Sequence, residues 1–376
     1  MSKSRDILLK LIRMAMGWTE DYHLPNDIVW GEVFYLAEEQ GVVPIVLDGY
    51  EKYIKVPKDI QIQVSPKDKE LFLEAIGILQ LSENNYHRQV DALKELGRIL
   101  GDKGVPFILM KGLSCGQYYP NPKHRECGDI DIYPGKYFES SNDILKAAGI
   151  EVDPHYYRHT VSFVKDVMVE NHRVLADLRG PSKQMREMEK HLEGEAEWSF
   201  YVGKTIVLGG EELNAGKFPT ADFNALFLPW HVSAHFMFER VTIRHLLDWA
   251  LFLVHEGDKI NVEKFLAAKK RFTYGYSKMT DILTNLSLRY LGIPKGVIPP
   301  EIIRDAESFD DQLADKVFEY MFIGQPRERD ENVWKFRWNN VKRIWQERWK
   351  YKEVYDTSAL MFAMRKVWGV LRSVGE

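Results

Sequence analysis

The chain is predicted to be α+β, a small mixed β-sheet core flanked by N-terminal and C-terminal helical regions. Three observations predict it. Residues 1–100 carry apolar side chains at helical spacing in 6–17, 28–40 and 67–100. Residues 101–215 change character: short apolar or alternating runs at 105–110, 128–132, 150–152, 159–165, 167–174 and 205–208 surround one helical segment, 137–148. Residues 216–376 return to helix, with a strong amphipathic signal over 222–254 and Pro299-Pro300 before a last block. The three stretches are read as a helical cap, an α+β core with its helices on one side of the sheet, and a helical C-terminal region.

With 376 residues the chain can bury a sizeable core, and 45% hydrophobic with 28% charged residues is the balance of a globular protein. A formal net charge of -4 argues against bulk nucleic-acid binding, though it does not exclude a local basic patch. Two cysteines in a chain this long do not make a disulfide scaffold, so a reducing, cytoplasmic home is expected. The apolar run at 7–16 is interrupted by Lys10 and Arg13, which suits an amphipathic helix rather than a secretory signal. No uncharged stretch reaches the roughly 18 residues a membrane span needs.

The most informative stretch is 105–133, VPFILMKGLSCGQYYPNPKHRECGDIDIY. Its first six residues suit a buried strand bounded by Gly104 and, after Lys111, Gly112. Gly112 permits a tight turn and close approach of the backbone to a ligand, and a helix opening at 113–118 would leave free N–H groups beside Lys111 for an anion. Asp129 and Asp131 lie two apart, so on a strand they share a face roughly 6–7 Å apart while Ile130 and Ile132 point to the core. Two carboxylates held this way repel unless something positive sits between them, and Mg²⁺ bound to phosphate oxygens would complete the site. Alone, Asp-x-Asp also fits a solvated acidic strand face. In 167–173, Met168, Glu170 and His172 share one face and the two valines the other, which makes Glu170 a strand-borne acid. Asp177 is the fallback if that register is wrong. Lys111 and Arg125 are the cations available to a triphosphate, one a point charge and the other a bidentate fork.

The segments LMKGLS, YYPNPKHR and GDIDI resemble the uncharacterised-nucleotidyltransferase family of the polymerase-β-like superfamily, and Glu170-Asn171-His172 matches its acid-x-His strand. The resemblance covers 105–175 and, more loosely, 225–250. It implies that Asp129, Asp131 and Glu170 are catalytic and hold two Mg²⁺, and that Lys111, Gly112, Ser114 and Arg125 bind the phosphates of a nucleoside triphosphate such as ATP. Transfer of the nucleoside monophosphate to an acceptor would then release pyrophosphate. In the superfamily a Gly-Ser pair forms the turn; here Lys111-Gly112 stands in its place and Ser114 comes one residue late. That displacement keeps open a catalytically inactive nucleotide-binding module of the same fold. His172, His235 and Asp248 are candidate acceptor-pocket residues; the acceptor itself is not readable.

Other signals are weaker. His231 and His235 share a helix face, which suits zinc, but no third ligand is evident and helix packing or substrate contact is the plainer account. Cys115 and Cys127 are expected to pack, and His124 to face solvent. Trp334, Trp338, Trp345 and Trp349 fall on one helix face with basic residues between them, a pattern read as a core stripe. The other account of this block is a partner or nucleic-acid surface.

Overall fold

A computed structural model describes residues 2–55, 65–154, 158–175, 183–208, 210–323, 342–358, 360–361 and 364. Four helices come first: α1 (Lys3–Met16), α2 (Trp30–Gln40), α3 (Val43–Lys55) and α4 (Pro66–Gly101). Ser65 caps α4 by accepting from the Asp68 N–H, and Pro66 occupies the first turn, where a missing donor costs nothing. At 36 residues α4 is about 54 Å long. Its last turns, through Ala92, Leu93, Leu96 and Leu100, cover one face of the sheet.

The α+β core follows: β1 (Phe107–Met110), a one-turn α5 (Lys111–Gly116), β2 (Asp129–Tyr133), α6 (Phe138–Ala147), β3 (Val152–Asp153), β4 (His159–Val164), β5 (Val167–His172), α7 (Lys183–Val202), β6 (Thr205–Leu208) and β7 (Glu211–Lys217). The seven strands form one mixed sheet in the order β3-β4-β5-β2-β1-β7-β6. β2 runs antiparallel to β1 and parallel to β5, and β1 runs parallel to β7. β4 and β5 are a hairpin turning at Lys165 and Asp166, whose φ values of 48° and 61° give the left-handed pair that matches strand twist.

The face to which successive side chains point alternates as the period of two requires, while both faces of β1 and most of β2 are buried. Phe107, Leu109, Ile130, Ile132, Val167 and Val169 share a core with α4 and Leu145 of α6. Ile108, Met110 and Tyr133 join Met188, Leu192 and Ala196 of α7 on the opposite face. The sheet therefore carries helices on both faces, not on one. The reading of the sequence missed α7, whose apolar residues Met185, Met188, Leu192 and Ala196 form a narrow stripe in a glutamate-rich segment, and it missed α3 and β7.

The helical region 222–254 is two helices, α8 (Ala221–Phe238) and α9 (Ile243–Glu256), broken between Glu239 and Thr242. Then come α10 (Val262–Arg271), α11 (Tyr276–Leu286), α12 (Pro300–Glu307), α13 (Asp311–Met321) and α14 (Arg348–Glu353). One buried cluster draws side chains from Ile7 through Tyr355, so the first three helices and the last ones share a core. Gln40 ties them: its amide donates to the Met321 carbonyl at 3.0 Å and accepts from the Ile243 N–H at 2.9 Å. Trp349 packs against Phe236 and Tyr320 while Trp345 is 66% exposed, so the core-stripe expectation holds for one and not the other. Trp334 and Trp338, like Asp177, lie outside the described residues. No helix among the described residues is long and apolar enough to cross a membrane.

Candidate active site

β1 ends at Met110, which pairs with Asp131 of β2, and Asp131 in turn pairs with Glu170 of β5. The register alone thus lines up the end of β1, the second aspartate and the glutamate across three adjacent strands. One oxygen each of Asp129, Asp131 and Glu170 lies within 4.8 Å of the others. Because Ile130, Ile132 and Val169 take the α4 face, these acids stand on the other, toward α8 and α9.

Lys111 leaves β1 at φ 26° and Gly112 follows at φ 45°, ψ -120°. Lys111 sits in the strained left-handed region, and strain of about 1–3 kcal/mol persists only where the surroundings enforce it. A Cβ on Gly112 would lie 3.0 Å from the Cys127 sulfur. The turn drives Lys111 Nζ to within 2.9 Å of Asp131 Oδ1. α5 spans only six residues, so the turn rather than a helix dipole shapes this end of the site.

His172 also donates to Asp131 Oδ1, at 2.8 Å, and its Nε2 is 3.3 Å from Glu170 Oε2; His159 Nε2 is 3.6 Å from the other Glu170 oxygen. Both donors on Asp131 use one oxygen. Oδ2 is buried and has no hydrogen-bond partner among the described residues.

The electrostatics follow from this crowding. Burial, then the charge of Asp131, raises Asp129 to about 6. Burial pushes Asp131 the same way, but Lys111 and His172 outweigh it and hold that carboxyl well below the usual range. Burial also opposes ionisation of Glu170, Lys111 and His172. In each the charged partners prevail: Glu170 is lowered by His172, Lys111 is raised chiefly by Asp131, and His172 is raised by Asp131 and Glu170.

Lys111, Asp129 and Asp131, but not Glu170 or His172, line a cavity of about 180 Å³, together with Gly112, His231, His235, His245 and Asp248. Arg125 reaches it too, yet its guanidinium is buried and forked onto Asp248 at 2.8 and 2.7 Å, with the Tyr119 hydroxyl donating to the same carboxylate at 2.8 Å. Arg125 thereby fastens the loop before β2 to α9. Ser114 is buried and does not line the cavity. His172 sits between Asp131 and Glu170 rather than beside His235. His124, expected at the surface, is buried: its Nδ1 is 2.7 Å from Asp48 and its Nε2 2.9 Å from the Asn121 amide and 3.3 Å from Glu83. It binds α3 and α4 to the 121–125 loop, a role that needs tertiary partners a sequence does not announce. Cys115 is a buried and Cys127 a half-buried free thiol, and both pack as expected; desolvation raises both. The residue missed at this site is His245. It lies in the first turn of α9 and joins His231 and His235 once the α8–α9 break turns the chain back.

No curated protein and no solved structure matches the chain. A family model described as uncharacterised nucleotidyltransferase matches residues 26–275, most of the chain and the whole of this cleft. The chain belongs to the uncharacterised nucleotidyltransferase family.

Proposed function

We propose that the chain transfers a nucleoside monophosphate from a nucleoside triphosphate to an acceptor, with Mg²⁺ held by Asp129, Asp131 and Glu170. The observation that carries this reading is Asp131: a fully buried carboxylate kept ionised, with one oxygen on Lys111 and His172 and the other without a partner among the described residues. An unsatisfied buried carboxylate oxygen costs about 1–3 kcal/mol or more, and a hard cation shared with Asp129 and Glu170 removes that cost. Three oxygen donors this close suit one or two such ions. When bound, Mg²⁺ supplies charge neutralisation along the phosphates and acidifies the acceptor hydroxyl.

The chain's own residues do the rest. Lys111, at the end of β1 beside these acids, would meet the phosphate oxygens as a point charge. Gly112 lets the backbone lie close to them. The acceptor oxygen bonds to the α-phosphorus as the bond to the bridging oxygen breaks, and pyrophosphate leaves. Glu170 takes the acceptor proton, with His159 and His172 beside it to pass the proton on. Arg125 and Asp248 hold the far wall.

Thermal unfolding with Mg²⁺ and each of the four common nucleoside triphosphates tests binding, and pyrophosphate release with a panel of acceptors tests transfer. At least one nucleotide is expected to raise the melting temperature, and Asp131→Ala to abolish the rise. No rise with any nucleotide, or the same rise in Asp131→Ala, contradicts the reading. A rise without release across the panel favours a nucleotide-binding module.

A further inference from the structure

Across the cavity from the carboxylates stands a second constellation. His231 and His235 lie one turn apart on α8, and His245 lies in the first turn of α9. Their ring centroids are 4.4, 5.2 and 6.4 Å apart, and one nitrogen from each lies within 4.8 Å of the other two. Three imidazoles around a tetrahedral ion, with bonds of about 2.0–2.1 Å, need their nitrogens roughly 3.4 Å apart. Small rotations about the side-chain torsions close that gap.

The surroundings supply what ligating histidines require. The His235 Nδ1 is 2.7 Å from Glu239 Oε2, which fixes the tautomer and leaves Nε2 as the other nitrogen. The Thr242 N–H donates to the His245 Nδ1 at 3.2 Å, with Thr242 Oγ1 3.0 Å from the same nitrogen, and this cap holds the His245 ring in place. Imidazole rings offer nitrogen donors to a borderline-soft cation.

We propose that His231, His235 and His245 form a zinc-type metal site whose fourth position opens into the cavity lined by Lys111, Asp129 and Asp131. Three protein ligands with an open position are the pattern of an ion that binds water or a substrate oxygen, rather than one that only braces a fold. An oxygen donor on the acceptor is the class of ligand that this position takes. The nitrogen site and the oxygen site differ in kind, so the two ions do not compete: Mg²⁺ takes carboxylates, Zn²⁺ or Co²⁺ the imidazoles. Metal binding here does not depend on the transferase reading.

The test is a Co²⁺ titration of the metal-free full chain in excess Mg²⁺. One equivalent is expected to bind, to give the visible absorption of four-coordinate Co²⁺, and to be displaced by Zn²⁺. X-ray absorption on the wild-type complex is expected to show three imidazoles. His235 is half-buried, with 26% of its side chain exposed, and His235→Ala is expected to weaken binding by more than the roughly 10–100-fold that loss of an outer partner such as Glu239 costs. Asp131→Asn is expected to leave binding within threefold, on the order of 0.7 kcal/mol or less. Absent absorption, two imidazoles or fewer, affinity unchanged in a folded His235→Ala, or affinity lost in Asp131→Asn each overturns the proposal. Two imidazoles would point instead to His159 and His172 with Glu170, the other nitrogen-bearing cluster.

Discussion

At the scale of single residues, Asp129 and Asp131 differ because of what lies beside them. Adjacent on one strand face, they are set apart by Lys111 and His172, which both bond Asp131. Asp129 is left with burial and like charges, and holds its proton to about 6. A carboxyl whose folded value exceeds its unfolded value of 3.8 stabilises most below that unfolded value and loses the contribution as pH rises through about 6. In chelator, Asp129→Asn should therefore be more stable than wild type at pH 8, by about 1–2 kcal/mol after allowing for solvent screening. The two should converge near pH 4. Denaturant titrations at pH 4 and pH 8 check this, and an equal gap at both pH values would contradict it. The pairing of Asp129 with Asp131 was legible in the sequence, since Asp-x-Asp on a strand needs only the period of two. The difference between them was not, because His172 reaches Asp131 from β5 and Lys111 from the turn after β1.

At the scale of elements, the strands that build the site were legible and the helices around it less so. Alternating valines placed Glu170 and His172 on the correct face of β5, and the register then set Glu170 opposite Asp131. The helix α7 is hard to see in the sequence because its four buried apolar positions are a thin stripe in a charged segment whose aromatic end, with Trp198 and Tyr201, is exposed. α3 escaped because Pro44 reads as a breaker, although a proline in a first helical turn is no obstacle. α3 also shows how closely elements can approach. A Cβ on Gly49 would lie 2.0 Å from the Leu11 carbonyl oxygen, a backbone atom with no room to move. Gly49→Ala should force α1 and α3 apart at a cost of about 3 kcal/mol, at the upper end of what overpacking a core does. Unfolding of that variant measures it; a change under about 0.5 kcal/mol would mean the two helices do not pack backbone to backbone.

At the scale of the molecule, two faces meet across one cleft. The sheet presents acids and a lysine; α8 and α9 present three histidines and Asp248, which holds Arg125 of the loop before β2. The sheet face could be read from sequence because its residues fall within 105–172. The helical face could not, since His231, His235 and His245 meet only after the break between α8 and α9, and Asp248 meets Arg125 across 123 positions. The N-terminal helices are part of the same body: Gln40 bonds both the start of α9 and the end of α13. They brace the helices that carry the histidines instead of capping a separate core.

The central claim is that Asp129, Asp131 and Glu170 make one divalent-cation centre. Anomalous diffraction from crystals grown with Mn²⁺ and a non-hydrolysable nucleoside triphosphate reads it directly. The account predicts a Mn²⁺ peak bonded to all three carboxylates, with Asp131 Oδ2 among its ligands and Lys111 on the phosphates. No peak there, with Asp131 still bound only to Lys111 and His172, would contradict it.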